Sequence, residues 1–363
     1  MSKLFSPLII NNIKFKNRIG MSPMCQYSSV DGVAGDWHLV HLGTRAIGGA
    51  GLVMTECSAV SPTGRISNRC AGLWNEMQAE KAQQIVAFLK NHGTVTGIQI
   101  SHSGRKGSAA TALDGGNHLT DEEGGWELVS PTNERFDPTE KRLWKQPSAL
   151  SSHEIETIQG QFVSSTKLAR DADYDVLEIH CAHGYLLHSF LTPLVNSRTD
   201  SYGNSPKNRA RFLLETVEKV REHWPVERVL SVRLSVDDFA ANGLTVADMV
   251  QIVGWLKERG VDIIDCSAGG AVPEARGAIN GRTPEQPVMA GELKKLTGMP
   301  TMAVGAITTP EQAEQLVASK KADIVLLGRE MMRNPYWPFA AAKTLGAETR
   351  HILAENYGFF VGS

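Results

Sequence analysis

The chain has 363 residues, of which 42% are hydrophobic, and a formal net charge of −2 at pH 7. This length allows a large core within one domain, and the balanced charge gives no reason to expect nucleic acid or an anionic membrane as a partner. No apolar run approaches the length of a membrane span, and the first residues lack the apolar core of a signal peptide, so we expect a cytoplasmic protein.

Short apolar runs alternate with amphipathic helical patterns along the chain, which predicts parallel βαβ units. The predicted strands begin near Arg18, Gly51, Val95, Asp175, Val229, Val261, Pro300 and Asp323. The predicted helices cover residues 76–91, 152–171, 208–223, 246–259, 289–296, 310–318 and 338–345. Eight strands predict a closed (β/α)8 TIM barrel, with residues 1–363 as a single domain. Closure is inferred from the strand count alone.

Two segments depart from this alternation. Residues 8–15 alternate in polarity around Asn11-Asn12, which predicts an N-terminal hairpin that plugs the amino end of the barrel. Residues 107–150 are long and polar with two Gly-Gly pairs, and we expect a lid excursion over the carboxyl face after the third strand.

Polar side chains follow the predicted strands at their carboxyl ends, where parallel α/β proteins place their chemistry. The fourth strand, residues 175–179, is followed at once by His180, His183 and Tyr185. Imidazole N–H groups can bind a developing anionic oxygen and a phenol can supply a proton, so this end is suited to polarising a carbonyl and protonating its neighbour. The last two strands end in glycine and the eighth adds Arg329, a composition that favours a bound phosphate.

Seven motifs occur in order on the expected element types: KNRI at 16–19, SPMCQY at 22–27, GIQI at 97–100, SGRK at 103–106, HCAHGY at 180–185, NSRTDSYG at 196–203 and GR at 328–329. With them the chain resembles the Old Yellow Enzyme family of FMN-dependent ene-reductases over almost its whole length. The resemblance is to the bacterial branch that contains the thermophilic-like enzymes and the xenobiotic reductases.

The resemblance implies an NAD(P)H:flavin ene-reductase of the NADPH dehydrogenase type. NADPH or NADH would act as a transient hydride donor to FMN, and an α,β-unsaturated carbonyl compound or a similar activated alkene would then enter the same pocket. Its C=C bond would be reduced by hydride transfer from flavin N5 and protonation by Tyr185. The chain has no GxGxxG motif, which fits a nicotinamide that visits the flavin without a fold of its own.

The resemblance also implies a set of FMN-binding residues at six strand ends: Ser22, Pro23, Met24, Cys25, Ala59, Gln99, Arg233, Gly305, Gly328 and Arg329. Cys25 would tune the flavin potential through its thiol. Gln99 has both the donor and the acceptor that the pyrimidine end of the ring requires. Arg233 suits the N1/C2-carbonyl region, where reduced flavin carries negative charge. Gly305, Gly328 and Arg329 would hold the phosphate.

The substrate-binding set implied by the resemblance is smaller. His180 and His183 would bind the carbonyl oxygen, Tyr27 would add a hydroxyl contact, and Tyr185 would donate the proton. The two histidines alone could also form a zinc pair, with Cys181 between them or Glu178 before them as a third ligand. The full set of motifs argues against this, and we expect no metal.

Plainer interpretations of other residues stay open at this point. Arg233 could form a buried ion pair with Asp237 or Asp238, and Cys25 could be a small buried hydrophobe. The five cysteines are scattered without a CxxC pair, which supports neither a disulfide framework nor a structural zinc site. We interpret Cys57, Cys70 and Cys266 as core residues.

Two other functions would also fit a barrel with a phosphate site. A flavin-free aldolase or isomerase lacks an obvious Schiff-base lysine at a strand end and leaves Gln99 without a role. A non-enzymatic phosphate-binding barrel leaves the histidine pair and Tyr185 unexplained. A yellow protein with flavin absorption would exclude both.

The C-terminal tail, residues 351–363, contains no Lys or Arg and has two adjacent phenylalanines. Leaving such a tail in water is unfavourable, so we expect it at a subunit contact of a homodimer or homotetramer. Some relatives place a tail arginine or aromatic residue in a neighbouring active site, and Tyr357 or Phe360 could fill that role here.

Overall fold

The structure is a computed structural model that describes residues 2–137, 144–273 and 286–361. Its strands are β1 Leu8–Ile10, β2 Ile13–Phe15, β3 Ile19–Met21, β4 Leu52–Ala59, β5 Val95–Ser101, β6 Val129–Ser130, β7 Ser148–Ala149, β8 Val176–Cys181, β9 Val229–Ser235, β10 Ile263–Ser267, β11 Thr301–Val304 and β12 Ile324–Leu327. Strands β3, β4, β5, β8, β9, β10, β11 and β12 pair in parallel, in that order, and close into a barrel. The predicted TIM barrel is confirmed.

Helices follow the barrel strands and surround them. They are α1 Asp36–Ile47, α2 Glu76–Asn91, α3 Ser152–Asp171, α4 Leu186–Leu191, α5 Pro206–Arg221, α6 Val246–Lys257, α7 Gln286–Thr297, α8 Pro310–Ala318, α9 Arg329–Arg333, α10 Trp337–Thr344 and α11 Glu355–Val361. Local sequence sets the start of several helices. At α3, the Ser151 side chain accepts a hydrogen bond from the Glu154 N–H, and the Glu154 carboxylate accepts one from the Ser151 N–H, which together form a capping box.

The N-terminal hairpin is present where the sequence predicts it. Strands β1 and β2 pair antiparallel around the Asn11-Asn12 turn. Ile10 and Phe15 belong to the same apolar cluster as residues near the amino ends of the barrel strands, such as Leu52 and Val229. The hairpin therefore seals the amino end and leaves the carboxyl end for a site.

The excursion of residues 107–150 is described except for residues 138–143. It contains the short parallel pair of β6 and β7. Trp126 donates from Nε1 to the Thr63 carbonyl at 2.9 Å, and Phe136 lies under the Arg105 guanidinium, so the segment packs at the carboxyl end of β5. A lid motion of this segment stays a prediction.

The C-terminal tail folds as helix α11 and reaches the barrel through the Ala354 N–H, which donates to the Ile47 carbonyl. Residues 362 and 363 lie outside the described residues, as does residue 1. In the described ranges, the helices are too short or too polar to span a membrane.

Candidate active site

A cavity of about 590 Å³ opens at the carboxyl ends of the barrel strands. Its size falls in the range of roughly 300–1,000 Å³ that small-molecule sites occupy. All predicted site residues except Ala59 and Tyr27 line it: Ser22, Pro23, Met24, Cys25, Gln99, His180, His183, Tyr185, Arg233, Gly305, Gly328 and Arg329. The fold thus gathers into one cavity the residues that the sequence scatters over six strand ends.

Two imidazoles and a phenol form a compact group on one side of this cavity. The His180 ring centroid lies 5.1 Å from that of His183 and 4.9 Å from that of Tyr185, with both pairs edge to face. His183 and Gly184 both have positive φ, 59° and 74°. A Cβ on Gly184 would lie 2.2 Å from the Gly270 carbonyl oxygen, so a glycine is required for this close approach.

Both histidines are neutral. Burial, followed by the positive charge of Arg233, lowers the pKa of His180 and of His183 well below the usual value. Nδ1 of His180 accepts a hydrogen bond from the Ala182 N–H at 3.1 Å, which places the ring proton on Nε2. His180 is therefore an uncharged N–H donor in the cavity.

Sequence reasoning missed three residues that hold His183. Its Nε2 lies 2.6 Å from the Ser267 hydroxyl, and its backbone N–H donates to Ser235 Oγ at 3.0 Å. Lys106 donates from Nζ to the His183 carbonyl at 2.7 Å and to the Gly270 carbonyl at 3.2 Å. Ser267 also lines the cavity, so His183 and Ser267 act as one hydrogen-bonding unit. Lys106 lies in the SGRK motif, and Ser235 and Ser267 are the last residues of β9 and β10, but all three are distant from His183 in sequence.

Tyr185 separates the main cavity from a second one of about 280 Å³, which Tyr27, Lys106 and Trp144 also line. Burial, followed by the nearby thiols, raises the pKa of the Tyr185 phenol well above its usual value. Tyr185 therefore keeps its proton at all ordinary pH values. Tyr27 lines the second cavity together with Tyr185, and its predicted substrate contact stays a prediction.

Gln99 has a fixed orientation at the base of the cavity. Its Nε2 donates to Glu178 Oε1 at 2.8 Å, and Ser231 Oγ donates to Glu178 Oε2 at 2.8 Å. Because one N–H of the Gln99 side-chain amide donates to Glu178, its side-chain carbonyl and its second N–H can bind a ligand. Burial, followed by the charge of Asp265, raises the pKa of Glu178 to about 8. No local sequence pattern predicts this role for Glu178.

Arg233 forms its buried ion pair with Asp265, at 3.3 Å from Nε to Oδ2, and not with Asp237 or Asp238. The parallel register of β9 and β10 aligns Arg233 with Asp265, which explains the pairing. Asp238 is paired instead with His188 at 3.0 Å. Nη1 of Arg233 lies 3.4 Å from Ser22 Oγ, at the cavity wall.

The opposite end of the cavity combines glycines with guanidinium groups. Gly305 has φ 122°, and a Cβ there would lie 2.2 Å from Gln286 Oε1. A Cβ on Gly328 would meet Met24 Sδ at 3.4 Å as its nearest contact, so the Gly328 backbone stays open to the cavity. Arg329 and Arg333 line this end, and Arg333 also pairs with Glu330.

These two ends fit FMN. Glycine backbone and guanidinium groups suit a phosphate, while the amide of Gln99 and the charge of Arg233 suit the pyrimidine part of the ring. Cys25 is half-buried at the cavity wall. Ala59 is buried at the end of β4, and its predicted ring contact stays a prediction. In the parts of the chain that the structure describes, no group of three His, Cys, Asp or Glu side chains could hold a metal ion.

Known proteins resemble this chain over almost its whole length. A model of the NADH:flavin oxidoreductase / NADH oxidase family matches residues 3–348. The NADPH dehydrogenase of Bacillus cytotoxicus is 43% identical over 351 residues, covering 96% of this chain and 94% of that protein. Morphinone reductase in complex with tetrahydroNAD is 25% identical with a TM-score of 0.77, covering 99% and 97% of the two chains. The Old Yellow Enzyme homologue from Zymomonas mobilis has a TM-score of 0.79 at 22% identity, covers 99% of each chain, and shares the fold.

Proposed function

This chain belongs to the NADH:flavin oxidoreductase / NADH oxidase family, and from that premise we propose that it reduces the C=C bond of α,β-unsaturated carbonyl compounds and related activated alkenes. The Old Yellow Enzyme resemblance is confirmed, and the chain is an FMN-dependent NAD(P)H oxidoreductase. The flavin-free and non-enzymatic alternatives are therefore wrong.

One observation carries the proposal: His180, His183 and Tyr185 share a single cavity with Gln99 and Arg233. The neutral imidazole of His180 and the His183–Ser267 unit offer hydrogen bonds to a carbonyl oxygen. They withdraw electron density from the conjugated double bond without adding a full charge, and they bind the oxygen more strongly as it becomes anionic. The β-carbon of the alkene then becomes the electrophilic position.

FMN, when bound, supplies the hydride that the β-carbon accepts. Tyr185 supplies the proton for the α-carbon, since its raised pKa keeps the phenol protonated. His180 is buried, and His183 and Tyr185 are partly buried, which limits the access of bulk water to the proton-transfer step. In this proposal the catalytic residues are His180, His183 and Tyr185, and Tyr27 contacts the substrate from the second cavity.

The nicotinamide uses the same cavity in this proposal. Morphinone reductase, a structural relative at 25% identity, binds tetrahydroNAD. NADPH or NADH would enter before the alkene and leave as the oxidised form, so the two substrates exclude one another. We also propose that the protein forms a homodimer or homotetramer, because the Phe359 and Phe360 side chains of helix α11 are 76% and 79% exposed in a single chain.

Anaerobic turnover of 2-cyclohexenone with NADPH tests the function. We expect NADPH to be consumed while cyclohexanone forms, and NMR spectroscopy measures the product. Run in D₂O, the product should carry solvent deuterium at the α-carbon and none at the β-carbon. Reduction of the flavin by NADPH without loss of any enone, maleimide or nitroalkene would contradict alkene reduction and leave the family assignment intact.

A further inference from the structure

Three of the five cysteines meet beside the active-site cavity although the sequence separates them. Cys25 follows β3, Cys57 lies in β4, and Cys70 follows β4 by eleven residues. The Gln26 N–H donates to Glu56 Oε2 at 3.0 Å, which holds the Cys25 segment against β4. The Ala59 N–H donates to the Ala71 carbonyl, and the Leu73 N–H donates to the Ala59 carbonyl. These two hydrogen bonds place the Cys70 segment beside the end of β4. Cys25 and Cys57 line the cavity, so the interpretation of Cys57 as a plain core residue is incomplete.

The three thiols are chemically different. Hydrogen bonds to Cys57 and Cys70, together with burial, raise the pKa of Cys25 well above its usual value. The hydrogen bond from Cys25 lowers the pKa of Cys70, and Ser67 contributes in the same direction through its N–H at 3.4 Å and its hydroxyl at 3.3 Å. Cys70 therefore has more thiolate character, while Cys25 is the thiol that a molecule in the cavity meets.

We propose that Cys25 and Cys70 form a reversible disulfide when a hydroperoxide enters the cavity. Cys25 is the accessible member, and Cys70 is the adjacent thiol that resolves its oxidised form. This arrangement, in which a reachable thiol is placed next to a resolving cysteine, is the one that redox-sensing sites use. The proposal does not depend on alkene reduction, since it needs only the thiols and the cavity.

The chemistry balances for hydrogen peroxide as the oxidant. As the Cys25 sulfur attacks one peroxide oxygen, the Cys70 thiolate accepts the Cys25 proton, an S–O bond forms, and the O–O bond breaks to release hydroxide. The hydroxide takes up the proton that Cys70 gave to the solvent on ionising and becomes the first water. The Cys70 sulfur then attacks the Cys25 sulfur, which forms the S–S bond and releases the second water. Two thiols lose two electrons and two protons, and one peroxide is reduced to two waters.

The disulfide would change the flavin site because the resemblance places Cys25 against the ring. A thiol that contacts a flavin affects its reduction potential, and a cysteine tied to Cys70 can no longer make that contact in the same way. We therefore expect oxidation to slow reduction of the flavin by NADPH. Dithiothreitol should restore the rate, since it returns both thiols.

The test uses the FMN-loaded enzyme treated with a small excess of hydrogen peroxide in the absence of NADPH. We expect two of the five thiols to be lost. A peptide linked through Cys25 and Cys70 should appear by mass spectrometry, and flavin reduction in stopped flow should slow several-fold. Dithiothreitol should reverse all three changes. Cys266→Ser, which removes a buried thiol in β10, is the matched control and should behave like the unmodified protein.

Cys70→Ser should keep its flavin content and its rate of flavin reduction but lose the linked peptide and the reversible response. If Cys70→Ser folds poorly, Cys70→Ala is the replacement test and should give the same results. Ser67→Ala is a further test, and we expect it to form the disulfide more slowly. A Cys25–Cys57 link, five free thiols after peroxide, or the same reversible inhibition in Cys70→Ser would each overturn the proposal. None of these outcomes depends on whether an alkene is reduced.

Discussion

Gln99 donates from Nε2 to Oε1 of the fully buried Glu178 at 2.8 Å, directly beneath the candidate flavin cavity. Glu178 shares this layer of the barrel with Asp265, and Arg233 is the cation near both carboxyl groups. The orientation of the Gln99 amide and the charge of the Arg233 guanidinium, the two groups proposed to face the flavin, therefore depend on two acids that do not line the cavity. Two predictions concern this layer.

The first prediction is that Glu178 makes the protein less stable as the pH rises. Burial raises the pKa of Glu178 to about 8, above its value in the unfolded chain. The stability linked to its protonation is therefore complete below the unfolded pKa and is lost as the pH rises through about 8. The free energy of unfolding should fall by up to about 1.4 kcal/mol per pH unit in that window. Urea denaturation of the holoenzyme at a series of pH values measures this.

Glu178→Gln keeps the hydrogen bonds to Gln99 and Ser231 possible and removes the titration. We expect the pH dependence of its stability to be flatter than that of the parent protein. Glu80→Gln, on the exposed face of α2, is the control and should keep the parent's slope. Equal slopes for Glu178→Gln and the parent would show that this carboxyl group does not titrate as proposed.

The second prediction concerns Asp265, whose carboxylate partly cancels the charge of Arg233 at 3.3 Å. Asp265→Asn should leave Arg233 with more effective positive charge next to the proposed position of the reduced, anionic flavin. The two-electron potential should become more positive, by about 30 mV for 1.4 kcal/mol of added stabilisation. Spectroelectrochemical titration measures it. An unchanged or more negative potential would mean that Arg233 does not act on the flavin.

The sequence allowed the barrel and most of the site to be predicted because their signals are local. Each predicted strand start lies within two residues of the observed start, since each strand is an apolar run that follows a polar break. The predicted helix 338–345 lies one residue from the observed Trp337–Thr344. Helix α1 was missed because its buried face includes His38, His41 and Gly43 as well as apolar residues, which weakens the periodic pattern.

Contacts between distant residues could not be predicted in the same way. Ser267 is 84 positions from His183, and Lys106 is 77 positions from it, so neither pairing leaves a local pattern. The partner of Arg233 depends on the register between β9 and β10, and without that register Asp237 and Asp238 were the nearer candidates in sequence. The meeting of Cys25 with Cys70 has the same cause, since three separate segments must first be folded together.

The third prediction separates the two half-reactions through Tyr185. Tyr185→Phe removes the proton donor and keeps the ring that packs 4.9 Å from His180. The alkene half-reaction should slow by about 10²–10⁴-fold, the range for loss of a general acid. Reduction of the flavin by NADPH should stay within a small factor of the parent rate. Stopped-flow absorbance of each half-reaction measures both, and equal loss in the two would contradict a proton-donor role.

The fourth prediction concerns the tail. Tyr357, Phe359 and Phe360 are 47%, 76% and 79% exposed, and we expect a second copy of the chain to cover them. Phe360→Ser should weaken self-association and shift the sedimentation coefficient toward that of a single chain at micromolar concentration. Val226→Ser, which changes an apolar residue that is 68% exposed on another part of the surface, is the control. A parent protein that already sediments as one chain would remove the proposal.

The fifth prediction tests the carbonyl-binding group itself. His183→Ala should leave FMN binding intact, since the residue is placed on the substrate side of the cavity, and should weaken the binding of phenols and slow enone reduction by about 10²–10³-fold. Because burial and Arg233 lower the pKa of His180 and His183, the parent's phenol affinity should show no histidine titration between pH about 6 and 8. Flavin difference spectra measure that affinity. His153→Ala, an exposed position in α3, should match the parent, and unchanged phenol binding in His183→Ala would refute the role.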